Sequence, residues 1–159
     1  MGYDANYTAR EIAVAAMENE FPAILAAVAD ERGVEAPAPL MVFRIRDDVR
    51  RSRVYPNIEV KPPEVPSLDD TGSKSVKSIV SVWVIGTISG AEAEALDDAA
   101  QAYHSAIVRT FLGRQGHVPG AAFSTTVKES STSPPGKIGT SPLLQSAGAR
   151  VEITIVENR

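Results

Sequence analysis

Residues 76–89, VKSIVSVWVIGTIS, decide how the rest of this chain has to be arranged. Val, Ile, Thr and Trp dominate the stretch, and β-branched and aromatic side chains favour a pleated strand. Successive side chains of a strand point to opposite faces. Val80, Val82, Val84 and Ile88 therefore share one face, and Ile79, Trp83 and Ile85 share the other. The strand is longer than the usual five or six or so residues. It is apolar on both faces, so it asks for cover on both sides.

The flanks supply part of that cover. Downstream, Ser89 and Glu92 have capping-box spacing, and Leu96, Ala99, Ala100, Tyr103, Ile107 and Phe111 follow at helical intervals up to Gly113. Upstream, Thr8 and Glu11 repeat the capping-box spacing ahead of Ile12, Ala16, Met17, Phe21, Ile24, Leu25 and Val28, one apolar stripe that ends at Gly33. Pro22 interrupts this first helix and predicts a kink or two abutting helices. Between the helical segments, MVFRIRD from Met41 alternates like a strand, and Tyr55 to Val60 reads as a second, with Pro56 at an edge or a strand start. After Gly113, residues 116–120 read as loop, 121–129 as a strand and 150–156 as a closing strand. Two Pro-, Ser- or Gly-rich excursions, 61–75 and 130–148, carry no period, and the second reads as a mobile connection.

The expected architecture is α+β: a mostly antiparallel sheet with two helices packed on one face, in a single domain over 1–159. A hydrophobic share of 43% with 23% charged residues is ordinary for a globular protein and provides for a core. The formal net charge of −4 argues against a protein that grips nucleic acid over its whole surface, because neutralising phosphates needs an excess of Lys and Arg. With no cysteine, disulfides, thiolate metal sites and Cys nucleophiles are excluded. The N-terminus lacks the basic-then-apolar order of a signal peptide, and no apolar run approaches the ~20 residues of a spanning helix, so a cytoplasmic chain without membrane contact is expected.

Catalytic motifs are missing. Neither GxSxG nor HExxH occurs, and Gly136-Lys137 is followed by Ile138 where a phosphate loop needs Ser or Thr. His104 and His117 each lack a partner at helical or ligand spacing and read as structural or surface histidines. The doublets Asp47-Asp48, Asp69-Asp70 and Asp97-Asp98 could hold a hard cation, but sequence neighbours diverge on strand and helix alike, so turns and solvated faces explain them more simply. The expectation is a non-enzyme with no cofactor and no metal. The densest charge run, RIRDDVRRSR, holds Arg44, Arg46, Arg50, Arg51 and Arg53. One reading is a solvated hairpin in which Asp47 and Asp48 offset the arginines. The other is an interaction surface, since Arg forks pair with carboxylates or phosphates of a partner. Two helices can cover only one face of the sheet, which leaves either the Trp83 set or the Val82 set for a neighbouring subunit unless the excursions, with Val65, Leu68, Leu143 and Leu144, fold back over it; Trp83 is the other candidate interface residue.

The assembled order resembles a family. An acidic-Phe-Pro-Ala-Ile-Leu segment, Glu20 to Leu25, lies in the N-terminal helical region. A Tyr-Pro strand at Tyr55-Pro56 precedes a Pro-rich excursion. A long strand, an Ala-rich helix ending Phe111-Leu112-Gly113 and a C-terminal hairpin follow. This is similar to the tail terminator, or tail completion, proteins of long-tailed bacteriophages, and the likeness covers nearly the whole chain. The resemblance implies a structural virion protein of the tail and neck, present in host cytoplasm during assembly. It implies a homo-oligomeric ring, a hexamer, that ends growth of the tail tube. Its implied partners are the tail tube protein and the head-tail connector protein, with DNA passing through the lumen unbound. The alternatives are another neck component, a stopper or adaptor, and a small-ligand-binding α+β domain with its pocket between sheet and helices.

Overall fold

A computed structural model describes residues 5–44, 54–61, 63, 67–72, 75–137 and 143–158. These form three helices and eight strands: α1 (Ala5–Asn19), α2 (Phe21–Arg32), β1 (Met41–Phe43), β2 (Asn57–Lys61), β3 (Ser67–Gly72), β4 (Ser75–Gly90), α3 (Ala93–Phe111), β5 (Gln115–Val118), β6 (Ala121–Thr132), β7 (Gly136–Lys137) and β8 (Leu143–Asn158). The strands make one sheet in the order β1-β2-β4-β8-β6-β5, with β3 also on β4 and β7 also on β8. The class is α+β, as the sequence predicts.

The long strand sits at the centre. β4 pairs with β8 antiparallel along its whole length, from Ser75 opposite Asn158 to Gly90 opposite Leu143. Its alternation separates the two faces as expected: Val80, Val82, Val84 and Ile88 are buried, while Ile79, Trp83 and Ile85 are half-buried. On the buried face Val82 lies opposite Val151, Val80 opposite Ile153 and Val84 opposite Ala149. Val84 also lies opposite Val60 of β2, and Phe123 of β6 opposite Ile155. Against this layer pack Ala9, Ile12 and Met17 of α1, Phe21, Leu25 and Val28 of α2, and Ala100, Tyr103 and Ile107 of α3, all buried in one core. The Phe21 and Tyr103 rings meet at 5.3 Å, tilted by 59°, and the Tyr103 hydroxyl donates to the Pro37 carbonyl at 2.5 Å. Burial pushes that phenol up, out of the ordinary range.

Several expectations need correction. The Pro22 break yields two helices, bent by 49°, so three helices rather than two cover the sheet. Pro22 stands in the first turn of α2, where a missing N–H removes no helical bond. Neither capping box is used. Thr8 lies inside α1, because burial of Ala5 and Ala9 carries the helix upstream, and Ser89 belongs to β4, leaving Glu92 at the N-cap without a side-chain bond. Gly33 does close α2, at φ 63°. The sheet is mixed, since β1 and β2 run parallel, Met41 opposite Asn57. The solvated hairpin expected of the Arg-rich stretch lies, apart from Arg44, outside the described residues. Within β1 it is Val42, not Met41, that packs on the core.

The excursions contain strands. β3 pairs antiparallel with β4 inside 61–75. Within 130–148, β6 runs on to Thr132, β7 pairs with β8, and β8 starts at Leu143, so the expected mobile connection is largely ladder. Polar Ser and Thr hide these strands from a hydrophobic pattern, yet a long partner strand offers them backbone bonds. Residues 116–118, expected as loop, belong to β5, which turns into β6 at Pro119-Gly120 with Gly120 at φ 81°. That is the Pro-then-Gly order of a type II turn. No single helix among the described residues is long and apolar enough to cross a membrane.

Candidate functional site

All three helices contribute their buried faces to one core layer on one side of the sheet. Among the described residues no helix covers the other side. Register fixes what that open face displays. Trp83 of β4 lies between Lys61 of β2 and Arg150 of β8. Ile85 lies between Glu59 and Gly148, and Ile79 opposite Thr154. The apolar stripe is therefore one strand wide, with charged and hydroxyl residues on both flanks. Gly148 lets it pack closely: a Cβ there would stand 3.1 Å from Ile85 Cγ1. Leu143 packs into the helix-side core and does not cover the stripe.

The flanking charges on the β8 side are tied down. Arg150 donates through Nη1 to Ser81 Oγ at 3.3 Å and through Nη2 to Glu129 Oε1 at 3.2 Å. Lys128 stands 3.9 Å from Glu152. Thr87 and Ser146 hydroxyls meet at 3.1 Å. A β-bulge between Val127 and Glu129 is what lets both Lys128 and Glu129 reach neighbours on β8. The result is an aromatic residue with isoleucines along its strand, flanked by held charges on the β8 side and by Lys61 and Glu59 on the β2 side. Protein interfaces share this anatomy: an aromatic or Arg anchor within a polar rim.

The arginine run is only partly placed. Arg44 is held on α1: its Nε donates to Glu11 Oε2 at 3.1 Å, and its Nη2 lies 3.6 Å from Glu18. Hydrogen bonding and the charge of Glu11 raise its already high pKa. Glu11 and Glu18, seven positions apart, share one helix face, which explains the double grip. Arg46, Arg50, Arg51 and Arg53 fall outside the described residues. Trp83 and Arg44 therefore sit in different surroundings, one on the open face and one against α1.

The other sequence candidates stay apart. His104 is half-buried on α3 and His117 is exposed on β5. Asp97 accepts from the buried Gln145 Nε2 at 2.7 Å while Asp98 is exposed, so this doublet diverges as helix geometry requires. Side chains of the other two doublets lie outside the described residues. Among the described residues no three His, Asp or Glu side chains gather as metal ligands. Sequence reasoning missed a groove of about 530 Å³ beside β5, bordered by Tyr7 and Ile12 of α1 and by Arg114, which sits between Glu20 and the Phe123 ring. Arg114 and Phe123 share no spacing pattern, so only the fold brings them together. No family model matches the chain, and no curated protein is detectably similar to it.

Proposed function

We propose that this protein is a structural subunit of a homo-oligomeric ring, of the tail-terminator kind, seated at the head-proximal end of a phage tail. There it ends growth of the tail tube and joins it to the connector. The observation that carries the reading is the open sheet face: Trp83, Ile79 and Ile85 half-exposed among charged neighbours, opposite a face that three helices close. A neighbouring subunit packed on that stripe would bury it. Where the neighbour meets the stripe with a different surface the contact is head-to-tail, and head-to-tail contacts close into rings when the rotation permits, whereas stripe against stripe would stop at a dimer. The net acidic chain suits a collar through which DNA passes without sticking. The likeness in element order supplies the phage context, and the chemistry here is assembly rather than catalysis.

Light scattering after size exclusion tests it. The expected result is a mass several times the 16.9 kDa of one chain, free at micromolar concentration or on purified tails. Trp83→Ala should shift that mass to a folded monomer with an unchanged far-ultraviolet circular dichroism spectrum. A protein that is monomeric in both settings, or a ring indifferent to Trp83→Ala, would sink the proposal.

A further inference from the structure

A ring needs a second surface, unlike the Trp83 stripe, to lie on that stripe. One corner of the fold has the makings of it. Of the large hydrophobic side chains exposed among the described residues, only Leu40 and Met41 are chain neighbours, and Leu40, 67% exposed, is the most open of them. With Met17, Pro22 and Pro39 they border a slot of about 340 Å³, in which Glu18 is the one charged residue. The corner is held in place, since Leu40 N–H donates to the Pro56 carbonyl at 2.8 Å. It cannot cover this chain's own stripe. Met17 and Val42 on the slot wall pack in the helix-side core, and Leu40, two residues from Val42, is turned to that same side by strand parity. Trp83 and Ile85 stand on the other side of the sheet.

The charges of the two surfaces are complementary. On the stripe, Lys61 lies opposite Trp83 and Glu59 opposite Ile85. Two residues apart on one strand, they share the open face, and among the described residues neither is engaged in an ion pair. The second cation beside Trp83, Arg150, is already held by Glu129 at 3.2 Å. At the corner, Arg44 gives its Nε to Glu11 and comes no nearer than 3.6 Å to Glu18, too far for a hydrogen bond. Glu18 and Arg44 are both exposed, so that carboxylate has hydrogen-bonding capacity to offer. The stripe thus presents a cation beside its aromatic ring and an anion two residues away. The corner presents an anion in its apolar slot and a cation next to it.

We propose that the Leu40–Met41 corner of one copy packs on the Trp83 stripe of the next, with Glu18 facing Lys61 and Arg44 facing Glu59. The inference rests on the ring reading and names the surface that this reading leaves open. Leu40 seats beside Ile85, where Gly148 leaves the sheet without a side chain. An apolar anchor among paired charges fixes both affinity and register. Because corner and stripe lie on opposite sides of the sheet, every added copy exposes a fresh stripe or corner until the chain of copies closes.

Charge reversal tests the pairing, read by light scattering in whichever setting the parent assembles. Lys61→Glu and Glu18→Lys each set like charges face to face at every junction, and each should weaken association about tenfold or more. The double variant restores opposite charges and should recover the parent mass, a recovery that damage to the fold cannot mimic. Leu40→Asp, at an exposed position, should give a folded monomer with an unchanged circular dichroism spectrum. An oligomer that is lost in Trp83→Ala but tolerates Leu40→Asp or both reversals would overturn this pairing and leave the ring reading standing, with another surface on the stripe. A double variant that fails to recover would overturn the pairing as well. A mass of two chains, indifferent to Leu40→Asp, would mark stripe on stripe and overturn it too. A parent that is monomeric both free and on tails would overturn the pairing and the ring together.

Discussion

Gly86→Ala tests the packing on which the helix-side core depends. Gly86 sits on the buried face of β4, opposite Ala147 and Ile58. A Cβ there would stand 2.9 Å from Tyr103 Cδ2 and 3.2 Å from Ile58 Cδ1. Tyr103 has little room to retreat, since it is held by Phe21 at 5.3 Å and by its hydroxyl on Pro37. Overpacking of this kind costs about 1–3 kcal/mol. Against it stands the reduced freedom of the unfolded chain, about 0.4–1 kcal/mol in favour of Ala. At mid-range the difference leaves a destabilisation of about 1.3 kcal/mol. At about 2–4 °C per kcal/mol for a chain of this size, Tm should fall by about 3–5 °C. Gly90→Ala is the control: its Cβ would meet Leu96 at 3.4 Å, an ordinary contact, and should be neutral or slightly stabilising. Tyr103→Phe should cost about 0.5–1.5 kcal/mol by itself, because water can reach the exposed Pro37 carbonyl. In that background the ring is free to tilt, so Gly86→Ala should cost less than in the parent. Urea melts of the four proteins give the coupling. A stabilising Gly86→Ala, or a penalty unchanged in Tyr103→Phe, would refute the pinned-ring argument.

Two further outcomes test other parts of the fold. Thr125 is buried and donates through its hydroxyl to the Phe111 carbonyl at 2.6 Å, at the end of α3; Thr125→Val should destabilise by about 1–3 kcal/mol in a urea melt, with Thr125→Ser largely restoring stability. Arg109 grips Glu31 at 3.0 Å, and this hydrogen bond and charge lower the Glu31 pKa from its ordinary 4.5. The carboxylate's contribution is therefore present above the unfolded pKa and lost as pH falls through the folded one; an NMR titration should find Glu31 below its ordinary value and Arg109→Gln should raise it, whereas an unmoved midpoint would count against the pair.

Periodicity alone determined the strand at the centre, its two faces, the two helical stripes and the α+β class, while the division of the first stripe into two helices had to be seen in the structure. Val80, Val82 and Val84 had to share a face because a pleat repeats every two residues, and Leu96, Tyr103, Ile107 and Phe111 had to share a helical stripe for the equivalent reason. What the sequence could not determine was anything set by a neighbour. β3, β5, β7 and the end of β6 carry little apolar pattern, and they are strands because β4, β6 and β8 offer them backbone partners. The parallel pairing of β1 with β2 follows from where the chain returns, which residue type does not encode. Arg44 reads as one of five clustered arginines, offset by Asp47 and Asp48 or turned to a partner, until α1 is seen to hold Glu11 and Glu18 beside it. The candidate surfaces divide in the same way. Strand parity put Trp83 on one face with Ile79 and Ile85, but only the helices packing on the Val82 side made that face the open one, and the β5 groove was not legible at all, because an open edge exists only once every other strand has found its place.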